Sequence, residues 1–231
     1  MGRWWGALDD AKPPSANWQM TPQMANAYHI PDFNTIAFPV AIMTLPRFNP
    51  QWPAYMNYAG LGTIVGHEMA HSLDRRGRWY DPDGNLDNWW TEKSSALFED
   101  RAQCFVGQFD KYGYTLPSGE VIHLNGQYEV NENIADSAGL KAAFAAYQRH
   151  KEQHGDDPKL PGMEQWTTDQ LFFIAYANAW CGGYTLDAIV DMIESDLHAI
   201  LPFRIVGSLA NNKGFKEAFE CEDKEPKCEM W

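Results

Sequence analysis

The chain has 231 residues, a formal net charge of -13, and 45% hydrophobic and 14% aromatic side chains, including ten Trp. That composition excludes a disordered chain and supplies enough apolar surface for one sizeable core. The acidity weighs against nucleic acid, which calls for a basic stripe; no apolar run nears the roughly 18 residues of a membrane span, and Asp9 and Asp10 close behind Arg3 leave no signal-peptide core.

Residues 1–16, rich in Trp and Pro, read as an irregular lead-in, and 17–231 as one domain. Ala27–Met43 offers two short β-like pieces around a turn at Asp32–Asn34, a hairpin or sheet edge able to pair with an extended peptide. Tyr58–Leu73 mixes small and apolar residues and predicts a buried helix despite three glycines. Asp81–Trp90 is turn-rich; Asp81, Asp83, Asn85 and Asp87 hint at calcium, but Gly84 is out of register with an EF-hand loop. Thr91 predicts an N-cap for a helix running to Phe109. Asn131–Arg149 carries an apolar stripe through Ile134, Leu140, Phe144 and Tyr147, and further helices are expected at Thr168–Trp180 and Thr185–Ser195. Without repeats or low-complexity tracts, the elements predict one mainly α domain with a small β element. Cys104, Cys181, Cys221 and Cys228 form no CxxC and read as disulfide candidates.

His67-Glu68-Met69-Ala70-His71 is the segment that points to chemistry. Helical residues four apart are separated by about 40° around the axis, so two imidazoles can face one ion. Zinc accepts neutral imidazole readily, and a catalytic site keeps a position open for water. The bland alternative is a partly buried helix with two satisfied histidines. A second cluster weighs against it: Glu132 and Asp136, also four apart, allow one carboxylate to bind metal while the other orients a ligand imidazole. Asp74, three residues after His71, suits the same orienting role. His29, His123, His150 and His154 lack partners at useful spacing and read as surface or loop residues.

GHEMAHSLD, DPDGNLDNWW, VNENIADSAGLKAAF, QLFFIAYANAWC, DLHAILPFR and the terminal CEMW follow one another in an order that resembles the catalytic half of the neprilysin and endothelin-converting-enzyme family of zinc metallopeptidases. The resemblance runs from about Asn17 to Trp231. It implies a mainly α (α+β), thermolysin-like gluzincin domain holding one Zn2+ per chain through His67, His71 and Glu132. Glu68, His198 and Asp136 match the catalytic residues: Glu68 polarises the bound water, His198 hydrogen-bonds the oxyanion, and Asp136, like Asp74, orients a ligand. Arg204 matches the residue that holds a substrate carbonyl, and Asn26 and Ala27 match the strand that binds the substrate backbone. Ile42, Ile64 and Trp180 fall where the family builds an apolar pocket for the side chain after the cleaved bond. Cys104 and Cys228 match cysteines bridged to one another, whereas Cys181 and Cys221 match cysteines whose partners lie in the family's other half; they are expected free or intermolecular.

The family's N-terminal half is absent from this sequence, which predicts a more open cleft and self-association through the surface that half would cover. Arg75-Arg76-Gly77-Arg78 replaces the usual Asp-Asn-Gly-Arg, Arg47 stands where an aromatic residue is expected, and Ala-Ile-Leu-Pro follows His198 in place of Ser-Pro-Gly-Asn. The expected function is a zinc endopeptidase acting on short peptides with an apolar residue after the cleaved bond, in an extracytoplasmic compartment by resemblance. The alternative is a zinc-binding but catalytically silent fragment serving as an interaction module or half of an assembly.

Overall fold

A computed structural model describes residues 19–231; the lead-in expected over 1–16, and with it the stretch read for a signal peptide, lies outside the described residues. The chain opens on a hairpin, β1 (Tyr28–Ile30) paired antiparallel with β2 (Thr35–Ala37), joined by a 3-10 turn over Pro31–Phe33. Asn34 closes that turn in the left-handed region, which its short amide side chain tolerates. The helices are α1 (Ala54–Asn57), α2 (Thr63–Ala70), α3 (Glu92–Phe109), α4 (Gly126–His154), α5 (Thr168–Ala179), α6 (Leu186–Ser195), α7 (Leu201–Ala210) and α8 (Lys213–Ala218). A second hairpin, β3 (Gly113–Thr115) with β4 (Val121–His123), separates α3 from α4. No helix among the described residues is long and apolar enough to cross a membrane.

The single helix expected over Tyr58–Leu73 is three pieces in register: a π turn over Tyr58–Gly62, α2, and a 3-10 turn over His71–Leu73. Helix starts are set by local chemistry. Thr91 caps α3 by accepting from Ser94 N–H, Asn125 caps α4 by accepting from Tyr128 N–H, and Thr167 with Gln170 forms a capping box on α5. Asp81 Oδ1 accepts from the N–H groups of Asp83 and Asn85, making its loop an Asx-type turn.

The long helix α4 is the central strut. Leu140, Ala143 and Tyr147 join Tyr55, Ala59, Ile64 and the α5 aromatics Phe172, Phe173 and Tyr176 in the main core. Val130 and Ile134 face the other way, against Phe98, Ala102 and Phe105 of α3 and the C-terminal Cys228 and Met230. The predicted stripe is therefore divided between two cores, which is why α4 is apolar on more than one face. Cys104 of α3 is bridged to Cys228, tying the C-terminal tail to the second core; Cys181 is exposed, Cys221 half-buried, and neither is bridged.

Helices α2 and α4 cross on a pair of glycines. A Cβ on Gly66 would stand 2.8 Å from Gly139 Cα, and one on Gly139 would stand 2.6 Å from His67 N and 2.7 Å from Thr63 O. No side chain fits between these backbones. Gly139→Ala should destabilise the protein by about 1–3 kcal/mol, the usual cost of overpacking, and weaken metal affinity with it. Gly107→Ala, on the exposed face of α3 with nothing within 4 Å of a new Cβ, should instead stabilise by about 0.5–1 kcal/mol. Thermal unfolding of the two variants beside the parent checks both signs; a neutral Gly139→Ala would show that the crossing can relax.

Candidate active site

Helix α2 delivers His67, Glu68 and, at its C-terminal end, His71; α4 delivers Glu132 and Asp136 across the glycine crossing. One donor atom from each of His67, His71 and Glu132 lies within 4.8 Å of the other two. His67 Nε2 is 3.2 Å and His71 Nε2 3.4 Å from Glu132 Oε2, and the two Nε2 atoms are 3.0 Å apart. Each imidazole is held from behind: His67 Nδ1 by Asp136 Oδ1 at 2.8 Å, His71 Nδ1 by Asp74 Oδ2 at 2.8 Å. Those carboxylates favour a proton on Nδ1, which in the neutral imidazoles leaves each Nε2 free to bind a metal.

The donor set fits a divalent cation. Glu132 Oε2 is buried and faces three imidazole nitrogens, yet makes no hydrogen bond of good geometry with any of them. Three donor atoms converging on a buried carboxylate oxygen with no hydrogen-bond partner suit a cation between them, and two His with one Glu is a known zinc donor set. Charge coupling is correspondingly strong. Burial opposes the imidazolium form of His71, but Asp74 and Glu132 overcome it and push the pKa up to about 10. Burial alone would raise the pKa of Glu132, but the imidazoles of His198, His67 and His71 hold it well below the usual carboxylate range.

Glu68 is buried, and burial raises its pKa against the opposing pull of His67 and His71. It shares the wall of a cavity of about 340 Å³ with the three donors. His198 reaches in from the loop before α7, its Nε2 3.1 Å from Glu132 Oε2, while Asp196 Oδ1 takes both its Nδ1 (2.8 Å) and its backbone N–H (2.9 Å). Arg204 of α7 donates to both oxygens of Asp136, Nε to Oδ2 and Nη2 to Oδ1, each at 2.7 Å. Its guanidinium lies 4.1 Å from the Trp180 ring centre. Ile42, Ile64 and Trp180, each less than 9% exposed, line the same cavity, as do Asn26 and Ala27 just before β1. The site residues expected from the sequence thus line one cleft, except Asp136, which sits behind His67, and the structural pair Cys104 and Cys228.

Three residues were not anticipated from the sequence. Asp196 orients His198, and the Asp-x-His spacing was its only signal. His29 lies on the cavity wall, with its pKa lowered by burial and by His71. Glu129, one turn before Asn133 on α4, is 1% exposed, and neither of its carboxylate oxygens has a hydrogen-bond partner. Burial, opposed by Asn133 and reinforced by Asp196 and Asp110, pushes its pKa up to about 7. The folded-state value lies above the unfolded one, so Glu129 favours the fold when protonated, below the unfolded pKa near 4.5, and that contribution is lost as pH rises through about 7. Glu129→Gln should therefore leave stability unchanged near about pH 4 and raise it by about 1–3 kcal/mol at about pH 8. Unfolding curves at the two pH values test this; an equal gain at both would show that the carboxylate does not titrate with folding.

The chain matches peptidase family M13 over residues 26–229. It is 38% identical over 219 residues to neprilysin-11 of Caenorhabditis elegans, covering 93% of this chain and 26% of that protein. It is 40% identical over 224 residues to human endothelin-converting enzyme 1, covering 95% and 28%. Among solved structures, it superposes on the Mycobacterium tuberculosis zinc metalloprotease ZMP1 in complex with inhibitor with a TM-score of 0.81 and 32% identity, covering 92% of this chain and 32% of that one. The chain thus spans about a quarter to a third of the length of these relatives. Matching sequence, matching fold and a paired His-Glu donor set agree that this chain belongs to peptidase family M13.

Proposed function

We infer that this chain carries the catalytic centre of a zinc-dependent endopeptidase hydrolysing short peptides, with one zinc per chain held by His67, His71 and Glu132. The observation that carries the reading is the convergence of those three donors beside a buried carboxylate, Glu68, whose pKa burial has raised. A zinc ion held there would supply Lewis acidity for activating water and polarising a peptide carbonyl.

The chain's own residues supply the rest. Glu68, with its basicity raised by burial, accepts the proton of the attacking water and returns it to the leaving amine. His198, oriented by Asp196 and, against the pull of burial, favoured as the imidazolium by Glu132 and Asp196, donates from Nε2 to the oxygen on which negative charge develops at the cleaved carbonyl. Arg204, anchored on Asp136 and Trp180, is placed to hold a substrate carbonyl. Among the described residues β1 pairs with β2 on one edge only, and the chain from Asn26 into this strand lines the cleft, which supports main-chain pairing with an extended peptide. Ile42, Ile64 and Trp180 give apolar walls to the pocket for the side chain after the cleaved bond.

The bridge between Cys104 and Cys228 supports an oxidising, extracytoplasmic setting. The silent-fragment alternative gains nothing from the site, which retains its base, its oxyanion donor and its metal donors together.

Glu68→Gln should keep one zinc per chain by atomic absorption and lose about 10²–10⁴-fold in cleavage of an internally quenched peptide. His71→Ala should lose the metal as well as the activity. A zinc-loaded Glu68→Gln variant that cleaves at the parent rate would remove Glu68 as the base.

A further inference from the structure

The side-chain pocket contains a cation that the peptide-hydrolysis scheme leaves unused. Arg47 lines the cavity beside Ile42, Ile64 and Trp180, with its guanidinium 4.3 Å from the Trp180 ring centre. Its Nη1 is buried and has no hydrogen-bond partner. The residue is held by its backbone instead. Arg47 N–H donates to Thr44 O at 2.8 Å, and Arg47 O accepts from Leu61 N–H at 3.0 Å. Gly60 makes that approach possible, because a Cβ there would stand 2.3 Å from Arg47 O.

Charge around Arg47 is not balanced. Asp136 is the neighbouring acid that favours its charge, but Asp136 already accepts from Arg204 twice and pairs with His67 Nδ1. Arg204 is a second cation over the same indole ring. Burial and Arg204 both disfavour the charged form of Arg47, yet a guanidinium stays protonated in proteins. A desolvated donor without an acceptor is costly, and an anionic acceptor recovers that cost. The planar fork of a guanidinium matches a carboxylate.

We propose that Arg47 is a specificity-determining residue that makes this pocket select a carboxylate on the residue after the cleaved bond, a glutamate side chain whose methylenes lie along Ile42, Ile64 and Trp180. This deepens the apolar-walled pocket described above and rests on the peptidase reading. A free C-terminal carboxylate carries the same chemistry, so the test separates the two sources.

The zinc-loaded chain is given C-terminally amidated quenched peptides that differ only in Glu, Gln or Leu after the cleaved bond, and a further peptide in which Gln there is the last residue with a free carboxylate. Affinity of the same peptides for the zinc-loaded Glu68→Gln variant is measured by calorimetry, so that the pocket is read without turnover. Glu should exceed Gln by about tenfold or more in kcat/KM and in affinity, the range of one charge-assisted hydrogen bond. The ratio should fall to about one in Arg47→Met and persist in part in Arg47→Lys. If the variants do not fold, the Glu-to-Gln ratio of the parent still decides. Equal handling of Glu and Gln overturns the proposal, as does a preference confined to the free C-terminal carboxylate or the absence of affinity for every peptide. No cleavage combined with tighter Glu than Gln binding would support the pocket assignment while refuting the peptidase reading.

Discussion

The glycine-on-glycine crossing of α2 and α4 is the constraint on which the site depends. Gly66 directly precedes His67, and Gly139 lies three residues after Asp136. The contact that removes both side chains is therefore next to the contact that brings His67 Nδ1 within 2.8 Å of Asp136. Wider helix spacing would separate Glu132 from the imidazoles of α2 before it disturbed either helix, because helix hydrogen bonds are internal and the donor cluster is not. Three metal donors from two helices need two rigid bodies at one fixed distance, and close backbone packing fixes that distance more sharply than interdigitated side chains do.

Around that crossing, buried charge is organised so that each group holds the next. Asp136 is almost fully buried and carries Arg204 on one side and His67 on the other, which together keep its carboxyl well below the usual range despite burial. A buried ion pair contributes little net stability over apolar packing, but removing one partner strands the other in a low-dielectric interior. The arrangement is better understood as positioning. Asp74 does the same for His71, and also accepts from the N–H groups of Arg76 and Gly77. The turn after the zinc-donor helix is thereby tied to the ligand it follows, whatever the side chains of Arg75 and Arg76.

The parts of the site legible in the sequence were those with a short-range period. His67 and His71 share a helix face, as do Glu132 and Asp136, and two such pairs of metal-compatible residues are hard to reach by chance. Thr91 and Thr185 marked helix starts because a hydroxyl at an N-cap acts on N–H groups two or three residues away. Helix α7, which carries Arg204, was not predicted: it follows the extended Ile200, has Pro202 in its first turn and contains Gly207. The family resemblance placed Arg204 in this segment but not the helix. The β3–β4 hairpin was not predicted either. The π turn at Tyr58–Gly62 was missed because it accommodates the Arg47 carbonyl against Gly60, a contact between segments that local propensity does not encode. Glu129 belongs to the same class, since what distinguishes it is burial and neighbours rather than spacing, whereas Asp196 offered only its Asp-x-His spacing.

Metal site and side-chain pocket are not independent modules in this architecture. Asp136 touches a zinc-donor imidazole, Arg204 touches Asp136, and Arg204 and Arg47 both lie over Trp180. An indole ring attracts each cation through its quadrupole but offers no net charge to neutralise either. The single negative charge of Asp136 is already committed to Arg204 and His67. Two guanidiniums beside one carboxylate leave the pocket end of this chain of contacts electropositive. A change at Trp180 would alter the seating of Arg204, and through Asp136 the orientation of His67, so the pocket wall and the His67 imidazole are linked through one chain of contacts.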